Sequence, residues 1–189
     1  MPQRRETKPH DPFRAIYDET NAHRLRHGCG AYPFGDANSL GVLAAATRAK
    51  RILELGTALG YTACWFAYGA PDAIVHTIER DRDHVRLSCK HIEAAGFKDR
   101  VRVHEGEFAT VLPAFESGYD IVFFDGYAPT LEVMKRLRDL LRTGGLMISA
   151  NLDLSGGDGA AHRAALCEPK NWMTSFMAEQ GRTAVSVKR

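Results

Sequence analysis

A glycine-rich stretch preceded by an acidic residue is the part of this sequence whose spacing points most directly to chemistry. It reads Glu54-Leu-Gly-Thr-Ala-Leu-Gly60 and lies between a predicted strand and a predicted helix. In a strand, turn and helix of this kind, the backbone N–H groups of the turn can approach a ligand closely. We therefore expect turn 56–60 to bind a cofactor.

The residues of this turn argue against a dinucleotide. A dinucleotide fingerprint reads Gly-x-Gly-x-x-Gly, and Ala58 stands where the middle glycine would let the backbone meet a pyrophosphate. Glu54 would repel a pyrophosphate, but it could accept a hydrogen bond from a ligand ammonium group. The turn favours a cofactor without phosphates, and an NAD-dependent oxidoreductase remains as a weaker alternative.

Three more acidic residues follow predicted strands. Glu79 ends the second strand, where a carboxylate can accept hydrogen bonds from both hydroxyls of a ribose. Glu107 follows the third strand and Asp125 ends the fourth. Because ligands of open α/β sheets bind beyond the carboxyl ends of the strands, we expect these acids and Glu54 to share one site.

Five short, mostly apolar segments are predicted to be the strands that position these acids. They cover residues 51–55, 73–79, 101–104, 119–125 and 146–150. Such strands are typical of a sheet that is buried on both faces. Their alternation with helical patterns predicts a parallel, doubly wound α/β sheet.

Apolar residues at helical spacing predict the helices between the strands. One stripe begins at Val85 and stops before Gly96, and a second covers 133–141 and is predicted to end at the glycine pair 144–145. Residues 36–48, ahead of the first strand, are also predicted to be helical.

The two ends of the chain have different patterns. Segments 172–178 and 183–187 are strand-like and flank Gly181, which predicts an antiparallel hairpin at the edge of the sheet. Residues 1–30 are polar and are predicted to form an arm or a helix. Residues 31–189 are predicted to form a single domain.

Composition sets broad limits on location and partners. The 189 residues are 44% hydrophobic and 25% charged, and a net charge of +2 gives no argument for a nucleic-acid or membrane-surface partner. No apolar run approaches the roughly 20 residues of a membrane-spanning helix. The first residues lack the apolar core of a signal peptide, so we expect a cytoplasmic protein.

The cysteines are not spaced as metal-binding pairs. This spacing favours buried or partly buried free thiols in a reducing compartment over a structural zinc site. The four residues are Cys29, Cys64, Cys89 and Cys167.

Four segments of the sequence resemble the motifs of one enzyme family. They are Arg51-Ile-Leu-Glu-Leu-Gly-Thr-Ala-Leu-Gly-Tyr-Thr-Ala63, Tyr119-Asp-Ile-Val-Phe-Phe-Asp125, the segment 140–151 and the closing hairpin 172–189. Together they resemble the class I S-adenosylmethionine-dependent O-methyltransferases related to catechol and caffeoyl-CoA O-methyltransferases. The resemblance implies a Rossmann-like fold and O-methylation of a small molecule, and it is consistent with a homodimer.

The resemblance also implies roles for individual residues. The methionine part of S-adenosylmethionine would be surrounded by Glu54, Gly56, Thr57, Gly60, Tyr61 and Thr62. The ribose would be held by Glu79, with Arg80 beside it, and the adenine would be framed by Gly106, Glu107 and Phe108. Asp125 would lie near the methyl donor.

The sequence departs from the metal-dependent members of this family at the metal ligands. Those members carry an acid after the fourth strand and an Asp-Asn pair after the fifth, which suits octahedral Mg²⁺. This chain keeps Asp125 and Asn151 as candidate ligands but has Ala150 in place of the Asp. It also has Ala128 where those members carry a lysine. Both a weakened Mg²⁺ site and a metal-independent reaction remain open.

Methyl transfer to a hydroxyl requires that the enzyme align the nucleophile and take up its proton. The catalytic candidates in this sequence are Asp125, Asn151 and Tyr127. Further candidates for the base are Asp153, Asp158 and His162.

Two other functions remain as alternatives to small-molecule O-methylation. Related folds modify tRNA, although the weak net charge disfavours an RNA methyltransferase. The alanines at 128 and 150 would also suit a protein that binds S-adenosylmethionine without catalysis and works as a sensor or partner subunit.

Overall fold

The computed structural model describes residues 10–127, 129–153 and 158–189. Its helices are α1 Arg14–His27, α2 Ala37–Ala46, α3 Tyr61–Gly69, α4 Arg82–Ala94, α5 Phe108–Val111, α6 Leu131–Leu140 and α7 Gly159–Leu166. Its strands are β1 Arg51–Leu55, β2 Ile74–Glu79, β3 Val101–Glu105, β4 Tyr119–Phe124, β5 Leu141–Ser149, β6 Trp172–Ala178 and β7 Thr183–Lys188.

These strands form one sheet in the order β3-β2-β1-β4-β5-β7-β6. Strands β1 to β5 are parallel, and β7 runs antiparallel to both β5 and β6. This arrangement confirms the predicted doubly wound, mostly parallel sheet with an antiparallel C-terminal hairpin. The strand order reverses between β1 and β4, which is where ligand sites of such sheets lie.

Alternate side chains of the central strands belong to two hydrophobic cores, one on each face of the sheet. Ile52 and Phe123 share a core with residues of α1, α2 and α3, and Leu53 and Phe124 share a core with residues of α6 and α7. These four side chains are at most 2% exposed. Burial of each contributes about 1.5–3 kcal/mol, so the alternation holds the strands in register.

Helix α1 and Phe13, which precedes it, pack against the hydrophobic core that contains residues of α2 and α3. The Phe13 ring, just before α1, meets the Trp65 ring of α3 edge-on, with 5.4 Å between their centroids. Within α1, Ile16 is buried and Thr20 Oγ1 donates to the Ile16 carbonyl at 2.7 Å. The part of the N-terminal segment that the structure describes is therefore a docked helix.

The region after α6 differs from the prediction. The helix ends at Leu140, and Leu141 is already in β5, where it pairs with Tyr119. The next residue, Arg142, donates its Nε to Asp120 Oδ1 at 2.6 Å. The predicted helical stripe was too long because pairing with β4 holds this segment extended.

Two expectations about the whole chain can be compared with the structure. None of the described helices is long and apolar enough to cross a membrane. All four cysteines are free thiols, and Cys64 is buried and Cys29 partly buried, as predicted. The predicted burial is wrong for Cys89, which lies on the exposed side of α4, and for Cys167, which directly follows α7.

Candidate cofactor-binding site

A cleft of about 700 Å³ lies at the carboxyl ends of β1, β2 and β4. Its volume is in the range of small-molecule sites. Residues predicted from the sequence line it, namely Gly56, Glu79, Arg80, Glu107, Phe108, Asp125 and Tyr127. An adjoining small pocket shares Gly56 and Asp125 and is also lined by Thr57, Tyr61 and Thr62. The fold thus brings most of the predicted residues to one place.

Turn 56–60 allows β1 and the end of β4 to approach closely. Gly56 has a φ of +104°, and a Cβ at this position would lie 3.1 Å from the Asp125 carbonyl oxygen. Gly60 has a φ of +92° immediately before α3. Both positions favour glycine because L side chains rarely adopt such values. Ala58 has a φ of +44°, and its N–H donates to Glu79 Oε2 at 2.9 Å.

The side chains of Thr57 and Tyr61 make hydrogen bonds to other parts of the protein. Thr57 Oγ1 lies 2.6 Å from Thr77 Oγ1 of β2. Tyr61 Oη donates to Asp11 Oδ2 at 2.8 Å, and burial raises the pKa of Tyr61 to about 12. These contacts anchor the turn and α3. Gly56, Ala58 and Gly60 also donate their N–H groups within the protein, to the Ile78 carbonyl, Glu79 Oε2 and the Thr57 carbonyl, so these three N–H groups are not left for a ligand.

Glu79 is held in place by three backbone N–H groups. Ala58 N donates to Oε2, and Arg80 N and Asp81 N donate to Oε1 at 2.9 and 3.0 Å. Burial disfavours its charged form, but these bonds and His84, whose Nδ1 lies 3.8 Å from Oε1, together lower the pKa of Glu79. In return, Glu79 raises the pKa of His84 to about 9. Glu79 is therefore an oriented, ionised acceptor on the cleft wall.

The segment after β3 forms the outer wall of the cleft. Gly106 N donates to the Glu79 carbonyl at 2.8 Å, which ties this segment to the end of β2. Glu107 Oε1 lies 3.3 Å from Arg80 Nη1, and both side chains are mostly exposed. Phe108 begins α5 and lines the cleft. The residues predicted to frame adenine thus lie beside the residue predicted to hold ribose.

Glu54 is fully buried in β1. Thr62 Oγ1 donates to its Oε1 at 2.5 Å, but Oε2 has no hydrogen-bond partner among the described residues. Burial, with a smaller contribution from the charge of Glu79, raises the pKa of Glu54 to about 7 despite the hydrogen bond from Thr62. A buried acceptor without a partner costs about 1–3 kcal/mol, so a hydrogen-bond donor that reached Oε2 would be stabilised.

Asp125, directly after β4, is the second acid of the site with a raised pKa. Burial lifts this pKa well above its ordinary value, and the charges of Glu54 and Glu179 add to the effect. The Asn151 amide opposes it by donating Nδ2 to Asp125 Oδ1 at 3.1 Å. Two carboxyls that resist ionisation therefore interact beside turn 56–60, and a cationic ligand would stabilise their charged forms.

The residues around Asp125 do not fit an octahedral Mg²⁺ site. Asn151 presents its amide nitrogen to Asp125, Ala150 offers no ligand atom, and Asp153 is exposed. In the described ranges, Asp125 belongs to no group of three His, Cys, Asp or Glu residues with ligand atoms within 4.8 Å of one another. Mg²⁺ requires near-ideal octahedral oxygen coordination. Ala128 lies outside the described residues.

The other catalytic candidates differ in their surroundings. Tyr127 is 69% exposed on the cleft wall. Asp158 Oδ2 accepts from the N–H of Leu131 and so joins the start of α7 to the start of α6. His162 is buried, its Nε2 lies 3.0 Å from Ser149 Oγ, and burial lowers its pKa to about 4. Of these three, only Tyr127 lines the cleft.

Part of the cleft was missed from the sequence. Its missed lining residues include Ala31, Tyr32, Asp81 and His84. Asp81 could have been found as a helix N-cap after a strand, since its Oδ1 accepts from the N–H groups of Asp83 and His84. The segment between α1 and α2 has no periodicity, so only the fold places it here.

Comparisons with known proteins agree with this geometry. The family model for a methyltransferase domain matches residues 53–151. A catechol O-methyltransferase from Niastella koreensis is 33% identical over 123 residues, which cover 62% of this chain and 56% of that protein. One from Mycobacterium tuberculosis is 33% identical over 119 residues, with 61% and 54% covered. The chain thus aligns with a little over half the length of these relatives.

Solved structures have the same fold. Cofactor-bound Rv0187 from MTB superimposes with a TM-score of 0.80 at 24% identity, covering 98% of this chain and 93% of that one. The O-methyltransferase from Bacillus cereus in complex with SAH superimposes with a TM-score of 0.77 at 20% identity, covering 97% and 94%. Since the family model matches more than half of the residues and the fold agrees, this chain belongs to the methyltransferase domain family.

Proposed function

We propose that this chain is an S-adenosylmethionine-dependent O-methyltransferase that acts on a small molecule without a divalent metal ion. The observation that carries this proposal is the pair of carboxyls, Glu54 and Asp125, whose pKa values are raised beside turn 56–60. S-adenosylmethionine carries an ammonium and a sulfonium, and both cations would be stabilised here. The names of the related catechol O-methyltransferases support an oxygen acceptor on a small molecule.

The cofactor would lie along the cleft. Its methionine part would approach Glu54 and the turn and α3 residues Gly56, Thr57, Gly60, Tyr61 and Thr62. The ribose hydroxyls would donate to Glu79, whose oxygens are already oriented by backbone N–H groups. The adenine would lie against Arg80, Gly106, Glu107 and Phe108.

The chemistry proposed for this site uses the chain's own side chains. Bound S-adenosylmethionine supplies an electrophilic methyl group. Asp125 takes the proton of the acceptor hydroxyl, because the positive charge of the bound cofactor stabilises its carboxylate form against the burial that raises its pKa. Asn151 positions the Asp125 carboxylate through Nδ2, and Tyr127 contacts the acceptor at the cleft wall.

Calorimetric titration with S-adenosylmethionine, S-adenosylhomocysteine and NAD tests the cofactor. We expect heat with both adenosyl ligands and none with NAD. No heat with either adenosyl ligand would contradict the proposal. Transfer of a labelled methyl group to catechol-type phenols, with and without added Mg²⁺, tests the chemistry, and we expect added Mg²⁺ to have no effect. Cofactor binding without transfer to any acceptor would favour a non-catalytic protein.

We propose further that the protein works in the cytoplasm as a homodimer. The exposed free thiols of Cys89 and Cys167 support a reducing compartment. Strand β6 is at the edge of the sheet and exposes Met173 and Met177, which supports self-association there. Sedimentation at several concentrations tests the dimer, and a constant monomer mass would contradict it.

A further inference from the structure

Two histidines and a cysteine come together where α1 meets α4. His23 lies on α1, Cys29 follows the end of α1, and His84 lies in the first turn of α4. One potential ligand atom from each residue lies within 4.8 Å of the other two. Among the described residues this is the only group of three His, Cys, Asp or Glu side chains with that spacing.

Both histidines are more than nine-tenths buried. His23 is 8% exposed and His84 is 6% exposed, and their ring centroids are 5.2 Å apart. His84 Nε2 is buried without a hydrogen-bond partner among the described residues. A buried group of this kind costs about 1–3 kcal/mol in a protein interior. Glu79 and, to a smaller extent, the Cys29 side chain raise the pKa of His84, so the Cys29 thiol already lies near this ring.

The other ring nitrogen of His84 faces a carboxylate. Its Nδ1 lies 3.8 Å from Glu79 Oε1. Metal-binding histidines almost always use one nitrogen for the metal and the other for a carboxylate, carbonyl or water that orients the ring. His84 has this arrangement, and a metal ion at Nε2 would displace a proton, because Glu79 raises the pKa of the ring to about 9.

We propose that His23, Cys29 and His84 bind one Zn²⁺-like transition-metal ion. Imidazole nitrogen and thiolate sulfur are ligands for zinc and its neighbours rather than for Mg²⁺ or Ca²⁺. Ligand atoms of a tetrahedral zinc site are roughly 3.5 Å apart. The three atoms here lie within 4.8 Å of one another, so small side-chain movements would bring them to that spacing. Three protein ligands leave the fourth position to water.

This site would adjoin the cleft without being part of the methyl-transfer chemistry. Cys29 and His84 line the cleft, and His84 contacts the carboxyl proposed to hold ribose. A bound ion would also join α1 to α4 by three strong contacts. Metal occupancy would therefore stabilise the fold and restrict Glu79.

A zinc titration in competition with a chromophoric chelator, on EDTA-treated protein in mildly alkaline buffer, tests the proposal. We expect one site per chain and an affinity that falls at least about tenfold in Cys29→Ser and in His23→Gln. The matched control is Cys89→Ser on the exposed face of α4, which should bind like the original chain. With Co²⁺ in place of zinc, we expect a thiolate-to-metal charge-transfer band that Cys29→Ser abolishes.

The fold of each variant is checked by thermal unfolding without metal. Should Cys29→Ser fail to fold, His23→Gln with the cobalt spectrum takes its place. Absence of a stoichiometric zinc site would overturn the proposal. So would a zinc affinity of Cys29→Ser or of His23→Gln that equals the affinity of the original chain. A cobalt band that disappears in Cys89→Ser and not in Cys29→Ser would also overturn it.

Discussion

The two ends of the cleft shift the pKa of their carboxyl groups in opposite directions. Glu79, at the end of β2, accepts from three backbone N–H groups, and its pKa is lowered. Glu54 and Asp125, near β1 and β4, are buried with fewer donors, and their pKa values are raised. The same residue type thus becomes a fixed anion at one end and a carboxyl that resists ionisation at the other.

This difference shows how one cleft can bind neutral hydroxyl groups at one end and cationic groups at the other. An acceptor that is already ionised and oriented suits neutral hydroxyl donors, because it does not have to reorganise when they bind. Carboxyls that lack donors suit cations, because a bound positive charge restores the stability that burial removed. Three substitutions test this division, from the largest expected effect to the smallest.

Replacing Asp125 with Asn should have the largest effect. The variant keeps the shape of the side chain but cannot take up a proton, so we expect the turnover number to fall about 10²–10⁴-fold. Single-turnover methyl transfer measures this loss. The exposed Asp153→Asn variant is the control and should retain its activity. A variant at 125 that keeps a tenth of the original rate would show that another group is the base.

Glu54→Gln should stabilise the protein and weaken cofactor binding. The folded-state pKa of Glu54, about 7, lies above its ordinary value of 4.5, so the folded chain holds this proton more tightly than the unfolded chain. The original chain therefore loses stability as the pH rises from about 4.5 to about 7. We expect the variant to be more stable at about pH 8 by on the order of 3 kcal/mol.

Urea unfolding across this pH range measures the effect. The difference between Glu54→Gln and the original chain should vanish at about pH 4, because Glu54 is protonated in both states there. The exposed Glu116→Gln variant should follow the original curve. If Glu54→Gln is less stable than the original chain at every pH, the Glu54 carboxylate has a stabilising partner in the folded protein, and its burial is not the dominant effect.

Glu79→Gln should have the smallest of the three effects. In the original chain both carboxylate oxygens of Glu79 accept hydrogen bonds from backbone N–H groups. Glutamine keeps one acceptor oxygen, but its NH₂ group would face a backbone N–H donor and could not accept from it. We expect the affinity for S-adenosylhomocysteine to fall about tenfold, or about 1.4 kcal/mol. Calorimetry measures the loss, with the exposed Glu105→Gln on the neighbouring strand as the control. Unchanged affinity would mean that ribose binds elsewhere.

Local patterns made much of the fold predictable. The bounds of β1 and β3 agree with the prediction to within one residue, because short apolar segments between turns have few other conformations. The prediction failed after α6, where Leu141 continues a helical stripe in the sequence but pairs with Tyr119 in the structure. Apolar spacing could not show this, since a buried strand and a helix stripe both favour leucine there.

The sequence predicted which acids lie in the site, but it did not predict which side chains face the cleft as candidate bases. Acids after successive parallel strands must meet at one edge of the sheet, so Glu79 and Asp125 could be placed together from the sequence. His162 was a further candidate for the base, and the structure buries it against Ser149 instead.

The sequence by itself determined the succession of strands and helices along the chain, the glycine turn and the acids after the strands. All three depend on residues within a few positions of one another. The tertiary structure decided the raised pKa of Asp125, the orientation of Glu79 and the meeting of His23 with His84. These depend on burial and on charges from segments far apart in the chain, and spacing along a sequence carries no information about either.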